Sequence, residues 1–183
     1  MQLRDTLPYD VRQVVAALPT DGEIRHKIRR FTLNPRVEGR ARSVRAFAED
    51  VGLSVYEVNL HWGVNGRLVS DPFSDTGYAI EINKALSVEA KRFAVLHEMG
   101  HFFRHTEDRD ELSDDLYFDL SDSAFYVDEI KEREANEFAE ALLFGGGQLA
   151  AAVGLVGANV DRLAKYFGVT KKVVQIALSN LTK

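Results

Sequence analysis

The sequence predicts an α+β fold: several helices around a small antiparallel sheet, with extra helices at the N-terminus. Three observations carry that expectation. Apolar residues recur at helical spacing in several stretches, among them Ile24, Ile28 and Phe31, and then Val44, Phe47, Ala48 and Val51. Two strand-like runs, residues 66–70 and 78–83, frame the turn-rich stretch from Asp71 to Gly77, which is the pattern of a hairpin. A long periodic segment follows that hairpin directly, with Ser87 placed as its N-cap and residues 88–103 as the helix.

Composition sets the outer bounds. At 183 residues, 45% of them hydrophobic and 28% charged, the chain is long enough to bury a core and reads as one globular unit. It has no cysteine, which excludes disulfides, a thiolate metal site and a cysteine nucleophile. No charged-then-apolar leader follows Met1 and no apolar run reaches the roughly 20 residues of a membrane helix, so a cytoplasmic protein is expected. The net charge of −5 argues against a molecule built as a whole for nucleic acid.

Taken in order, Val11, Val14, Val15 and Leu18 give a short helix over residues 9–18 that Pro19 and Gly22 would stop. A second helix ends near Asn34-Pro35. Between Arg25 and Arg45 there are eight basic residues and one acid, Glu38. Solvated arginine on helix surfaces is the favoured reading of that run over a DNA-binding face, because no motif accompanies it. Residues 43–51 form a third helix, closed by Gly52, and residues 53–58 a short strand. His61 reads as a loop residue and not a ligand, since nothing at metal-ligand spacing accompanies it.

The chemistry concentrates in His97-Glu98-Met99-Gly100-His101. On a helix, residues four apart share a face about one turn, roughly 6 Å, along the axis, so both imidazoles can close on one ion. Glu98 lies beside them, free to act on a water at an open coordination position. This HExxH run is the sequence signature of a zinc metallopeptidase. Gly100 admits two readings, close approach of substrate or close helix packing. His105 extends the series but would stand about 12 Å from His97 on a straight helix, too far to share the ion; it is expected to meet the helix dipole or pack locally. The Gly turn and third histidine of a metzincin are missing.

Residues 107–128 are acidic and irregular, with interleaved apolar residues, and are expected to form a lid or specificity loop between two site-bearing helices. The next helix, residues 128–144, must supply a third ligand. Ala135, Phe138, Ala139, Leu142 and Leu143 define its buried face. Glu132 lies at the edge of that face, whereas Glu134 points about 100° away, so Glu132 is the expected ligand. Asn136, one turn on, is placed to hold a ligand histidine by its other ring nitrogen. On this segment alone, two solvated helix carboxylates would be the favoured reading. Residues 160–167 and 170–181 are two helical patterns joined by Gly168-Val169-Thr170, spaced like a helix-turn-helix. A helical pair closing the domain is preferred over direct DNA binding, because the second helix is short of Arg and Asn for base edges.

The strand ending in Asn83, Arg92-Phe93 before HExxH, the trailing His105, the Glu132-to-Ala139 stretch ExEANxFA with Leu142-Leu143, and Leu163-Ala164-x-x-Phe167-Gly168-Val169-Thr170 together resemble the ImmA/IrrE metallopeptidases. The resemblance covers roughly residues 43–183. It implies a compact zincin-like domain, Zn²⁺ bound by His97, His101 and Glu132, and Glu98 as catalytic acid/base. It also implies partners that are helix-turn-helix repressors or antitoxins, cleaved to derepress phage, mobile-element or stress genes. Members commonly carry Met-Pro after the paired leucines, where this chain has Phe144-Gly145-Gly146-Gly147. The expected organisation is an N-terminal helical extension over residues 1–40, a metallopeptidase core over 41–158 and a helical pair over 159–183. Two rival functions are a non-catalytic regulator binding a repressor or DNA, and the toxin half of a toxin–antitoxin pair.

Overall fold

The computed structural model describes residues 11–18, 22–106 and 129–181. The elements run α1 (Val11–Ala16), α2 (Gly22–Leu33), β1 (Arg36–Val37), β2 (Arg40–Ala41), α3 (Val44–Asp50), β3 (Ser54–Val58), β4 (Gly66–Ser70) and β5 (Tyr78–Asn83). The long helices follow: α4 (Val88–His105), α5 (Glu129–Phe144), α6 (Gln148–Val156), α7 (Val160–Phe167) and α8 (Lys171–Leu181). The expected lid over residues 107–128, with Tyr117 and Tyr126, lies outside the described residues, as does the start of the first helix.

The α+β class holds, but the sheet is mixed and not wholly antiparallel. Its order is β3-β5-β4, with β4 antiparallel to β5 as the hairpin pattern requires and β3 parallel to β5. The cause is topological: the chain reverses after β3 and again after β4, and β5 then inserts between the two earlier strands. As the central strand, β5 buries Ala79, Ile80 and Ile82, an almost continuous apolar run. The edges are β3 and β4, the latter tied to the centre by an Arg67–Glu81 ion pair at 2.7 Å. A two-stranded ribbon, β1 with β2, is an addition to the expected elements.

Capping sets where the helices begin. Ser43 and Ser87 accept from the amides of Ala46 and Ala90, and Asn159 from that of Arg162, each three residues on. At the other end of α7, Gly168 adopts φ 66°, a left-handed stop close to Arg92. The guanidinium of Arg92 donates to the carbonyls of Arg42 and Phe167 at 2.7 and 3.1 Å. One side chain on α4 thereby ties down both the segment before α3 and the end of α7. Helix α6 is not among the expected helices. Gly146 and Gly147 take positive φ and turn the chain after α5, and Leu149 and Ala152 then bury the inner face of a new helix.

Aromatic contacts join the layers. Phe31 stacks on Phe47 at 4.3 Å, linking α2 to α3; Phe103 meets Phe138 at 5.7 Å between α4 and α5; Phe144 meets Phe167 at 4.9 Å between α5 and α7. Half of the basic run is engaged internally: Arg25, Arg36, Arg42 and Arg45 donate to the carbonyls of Leu18, Tyr166, Asn34 and Val55. Those guanidiniums fasten loops and helix ends, which agrees better with a structural role than with a DNA-facing surface.

The closest helix pair is α4 with α5. A Cβ built on Gly100 would stand 2.8 Å from Ala135 Cα and 2.9 Å from its carbonyl oxygen. Of the two readings of this glycine, helix packing is the one the structure shows. Gly100→Ala is expected to destabilise the protein by about 1–3 kcal/mol through overpacking, despite the better helix propensity of alanine. Gly154→Ala, in α6, where an added Cβ meets nothing among the described residues within 4 Å beyond its own helix backbone and chain neighbours, should instead stabilise by up to about 1 kcal/mol. Urea denaturation of both variants checks the opposite signs.

Candidate metal centre

The candidate ligand side chains come from the two helices that meet at Gly100. On α4, His97 and His101 turn their Nε2 atoms toward each other, 3.0 Å apart. From α5, Glu132 places Oε2 3.2 Å from His97 Nε2 and Oε1 3.1 Å from His101 Nε2. Among the described residues, these three form a cluster able to hold a metal ion, with ligand atoms all within 4.8 Å of one another. Three ligands at 2.0–2.1 Å from a tetrahedral zinc would be separated by roughly 3.3 Å, so the observed spacings suit the corners of such a site. Two imidazole nitrogens and a carboxylate are also a donor set that zinc takes readily.

Both histidines are fixed from behind. His97 Nδ1 lies 3.0 Å from Asn136 Oδ1, an oxygen that can only accept, so a ring proton sits on Nδ1 and Nε2 faces the cluster, donating to Glu132 while it carries a proton and offering its lone pair to a metal once that proton leaves. For His101 the support is a chain. Its Nδ1 lies 3.2 Å from His105 Nδ1, and His105 Nε2 lies 3.0 Å from Glu134 Oε2. A carboxylate accepts only, so His105 donates from Nε2 and its Nδ1 receives the proton of His101. Arg104 closes the chain at 3.4 Å from Glu134.

His105 is therefore a buried support of a ligand histidine, where the sequence suggests only a dipole or packing contact. Glu134, which helical phase turns away from the Glu132 edge, is its partner. The signals were the continued i, i+4 histidine series and the second acid of the Glu-x-Glu pair. What spacing does not supply is that the two meet across α4 and α5.

The electrostatics follow from this crowding. Hydrogen bonds from His101 and His97 hold the Glu132 carboxyl well below the usual carboxylate range, outweighing its burial. Burial pushes His97 down, but the hydrogen bond to Glu132 and the charges of Glu98 and Glu132 outweigh it, and its pKa ends above the ordinary imidazole value. Burial is also the largest influence on His105 and lowers it, as a neutral relay ring requires. The hydrogen bond from His105 lowers Glu134.

Glu98 is 7% exposed and packs against the start of β4, where a Cβ on Gly66 would stand 3.3 Å from Glu98 Cγ. Asn83 secures this corner: its amide donates to the carbonyl of Val64 at 3.0 Å, and its side-chain oxygen accepts from the amide of Ala85 at 3.1 Å. His61 is exposed in the loop between β3 and β4.

A helix carrying two histidines and a buried glutamate, a carboxylate from the helix beside it and a small sheet with an open edge strand define a metallopeptidase-like domain. The model of the IrrE N-terminal-like domain, peptidase family M78, matches residues 48–179, and the chain belongs to this ImmA/IrrE family. No curated relative matches the chain. Among the described residues no single helix is long and apolar enough to cross a membrane.

Two measurements probe the centre. Asn136→Ala and His105→Phe should each weaken zinc binding about 10- to 100-fold, as loss of ligand support does elsewhere, while the circular dichroism spectrum is retained; competition with a chromophoric chelator reads the affinity. Because Glu132 and Glu98 raise the pKa of His97, a metal binding there must displace a proton. Affinity should fall by up to about tenfold per pH unit on acidification below that pKa, and calorimetry in buffers of different ionisation enthalpy should register proton release. The lowered Glu132 stays ionised throughout that window and adds no competing proton.

Proposed function

We propose that the chain is a zinc-dependent peptidase that cuts a helix-turn-helix repressor or antitoxin in the cytoplasm, relieving repression of phage, mobile-element or stress genes. The observation that carries the hydrolytic reading is the convergence of His97, His101 and Glu132 with a buried glutamate, Glu98, next to the first ligand. His97, His101 and Glu132 would hold the ion. When bound, zinc supplies Lewis acidity, polarising the scissile carbonyl and lowering the pKa of a coordinated water to about 7.

The protein's own groups supply the rest. Glu98 accepts the proton of the attacking water at its carboxylate and delivers it to the leaving amine nitrogen. Its burial keeps that carboxylate away from bulk solvent. Asn136 and His105 keep the ligand rings in the tautomer that presents Nε2. Among the described residues the outer edge of β4 has no paired strand, and its first residue, Gly66, lies against Glu98. An extended substrate segment pairing with that edge would pass its main chain across the glutamate, which is the strand-addition mode of peptide recognition. The repressor as target is supported by family membership, and the internal engagement of Arg25, Arg36, Arg42 and Arg45 weighs against a DNA-binding alternative.

The test is co-expression with a helix-turn-helix repressor encoded beside this chain. Wild-type protein should yield a truncated repressor, and Glu98→Gln should bind zinc normally yet lose cleavage by at least about 10²-fold, the low end of what a general acid/base contributes. Undiminished truncation by the Gln variant would overturn the assignment of Glu98.

A further inference from the structure

We propose that the groove between α4, α5 and α8 is a subsite for one large apolar side chain of the substrate, next to the bond that is cut. This rests on the peptidase reading above and adds a selectivity to it. The groove encloses a cavity of about 410 Å³, within the range of pockets that hold small ligands, about 300–1,000 Å³.

Its position connects it to the chemistry. Asn136, which orients His97 at 3.0 Å, is part of its lining. So is Asn65, the residue before Gly66, and Gly66 abuts Glu98. Phe93 lines it from α4, one turn before His97 and therefore on the same side of the helix. A substrate strand on the open edge of β4 sends alternate side chains to opposite faces. The side chain that leaves the strand toward α4 beside Glu98 has this groove to enter.

The lining determines what fits. Ala90 and Phe93 on one wall and Val173 and Ile176 on the other are apolar, and Ile176 remains 43% exposed. The two charged residues of the lining, the buried Glu140 and the exposed Lys172, have opposite signs, so the lining carries no net charge to select an acidic or basic side chain. Apolar surface in a concavity next to a reacting centre gains most from a side chain of leucine or phenylalanine size. The groove also gives α8 a role. Its face bearing Val173 and Ile176 is a wall of the site, where a DNA-reading helix would need that face free.

The test uses two metal-anchoring probes, N-acetyl-leucine hydroxamate and N-acetyl-glycine hydroxamate, titrated calorimetrically into the zinc-loaded protein. The leucine compound should bind about tenfold tighter or more, from burial of its side chain. Ala90→Phe, which fills the groove, and Ile176→Asp, at an exposed position, should each bring the ratio close to one while leaving the affinity of the glycine compound unchanged. That unchanged affinity also shows that the variants fold. Equal binding of the two compounds to wild type would show a packing gap and no subsite, with the metal centre intact. A ratio that survives both substitutions would likewise overturn the proposal. If neither hydroxamate binds the zinc-loaded protein, the peptidase reading falls and the subsite with it.

Discussion

The backbone contact between Gly100 and Ala135 is the constraint on which the site depends. His97 stands three residues before Gly100 and His101 one after; Glu132 stands three before Ala135 and Asn136 one after. The contact thus lies between the two histidines on α4 and between Glu132 and the supporting Asn136 on α5. With a side chain on residue 100 the helices would have to separate, because the obstructing atoms are backbone and cannot rotate away. Separation by even a few tenths of an ångström would be felt directly in the 3.1–3.2 Å spacings between Glu132 and the two histidines. A helical glycine costs about 1 kcal/mol relative to alanine, and here that cost accompanies a function that alanine cannot perform.

Bringing a carboxylate and two imidazole lone pairs together creates a region of negative potential. Something positive is favoured between them, which is why the His97 proton is held more firmly than usual despite burial. The proton and a divalent cation compete for the same electrostatic need. The supports behind the rings are consistent with that need: Asn136 for one, and His105 with Glu134 for the other, each accept a proton from Nδ1 and leave Nε2 to the cluster. The site is thereby arranged for a cation by side chains from only two helices.

Local pattern made much of this legible. The HExxH spacing specifies two rings on one helical face, and the phase of Ala135, Phe138, Ala139, Leu142 and Leu143 singles out Glu132 over Glu134 as the residue aimed at them. The runs of β4 and β5 follow from alternation and the turn between them. What escaped is tertiary. The parallel pairing of β3 with β5 depends on which edge the third strand joins, and residues 54–58 carry no mark of that choice. Helix α6 was hidden because Gly145, Gly146 and Gly147 read as an interruption, although two of them serve only to redirect the chain into a new helix. The bond from His105 to Glu134 joins residues 29 apart in sequence, beyond what helical periodicity reports.

Arg92 explains why helices far from the histidine–glutamate cluster still bear on it. Arg92 lies on α4 one residue before Phe93, and its two donated hydrogen bonds hold the chain at Arg42 and at the end of α7. Gly168 leaves room for that guanidinium: a Cβ there would come within 2.9 Å of Arg92 Nε and of Ala41 Cβ. Helix α8 begins three residues later, so its position relative to α4 is set by the same contact that closes α7. Val174, Ala177 and Leu181 then bury the inner face of α8, leaving Val173 and Ile176 on the groove. That groove therefore lies between elements that Arg92, a partly buried cation on the helix of His97 and His101, helps to fasten. The C-terminal pair, which by spacing alone resembles a DNA-binding unit, contributes Leu163, Phe167, Val174, Ala177 and Leu181 to the core.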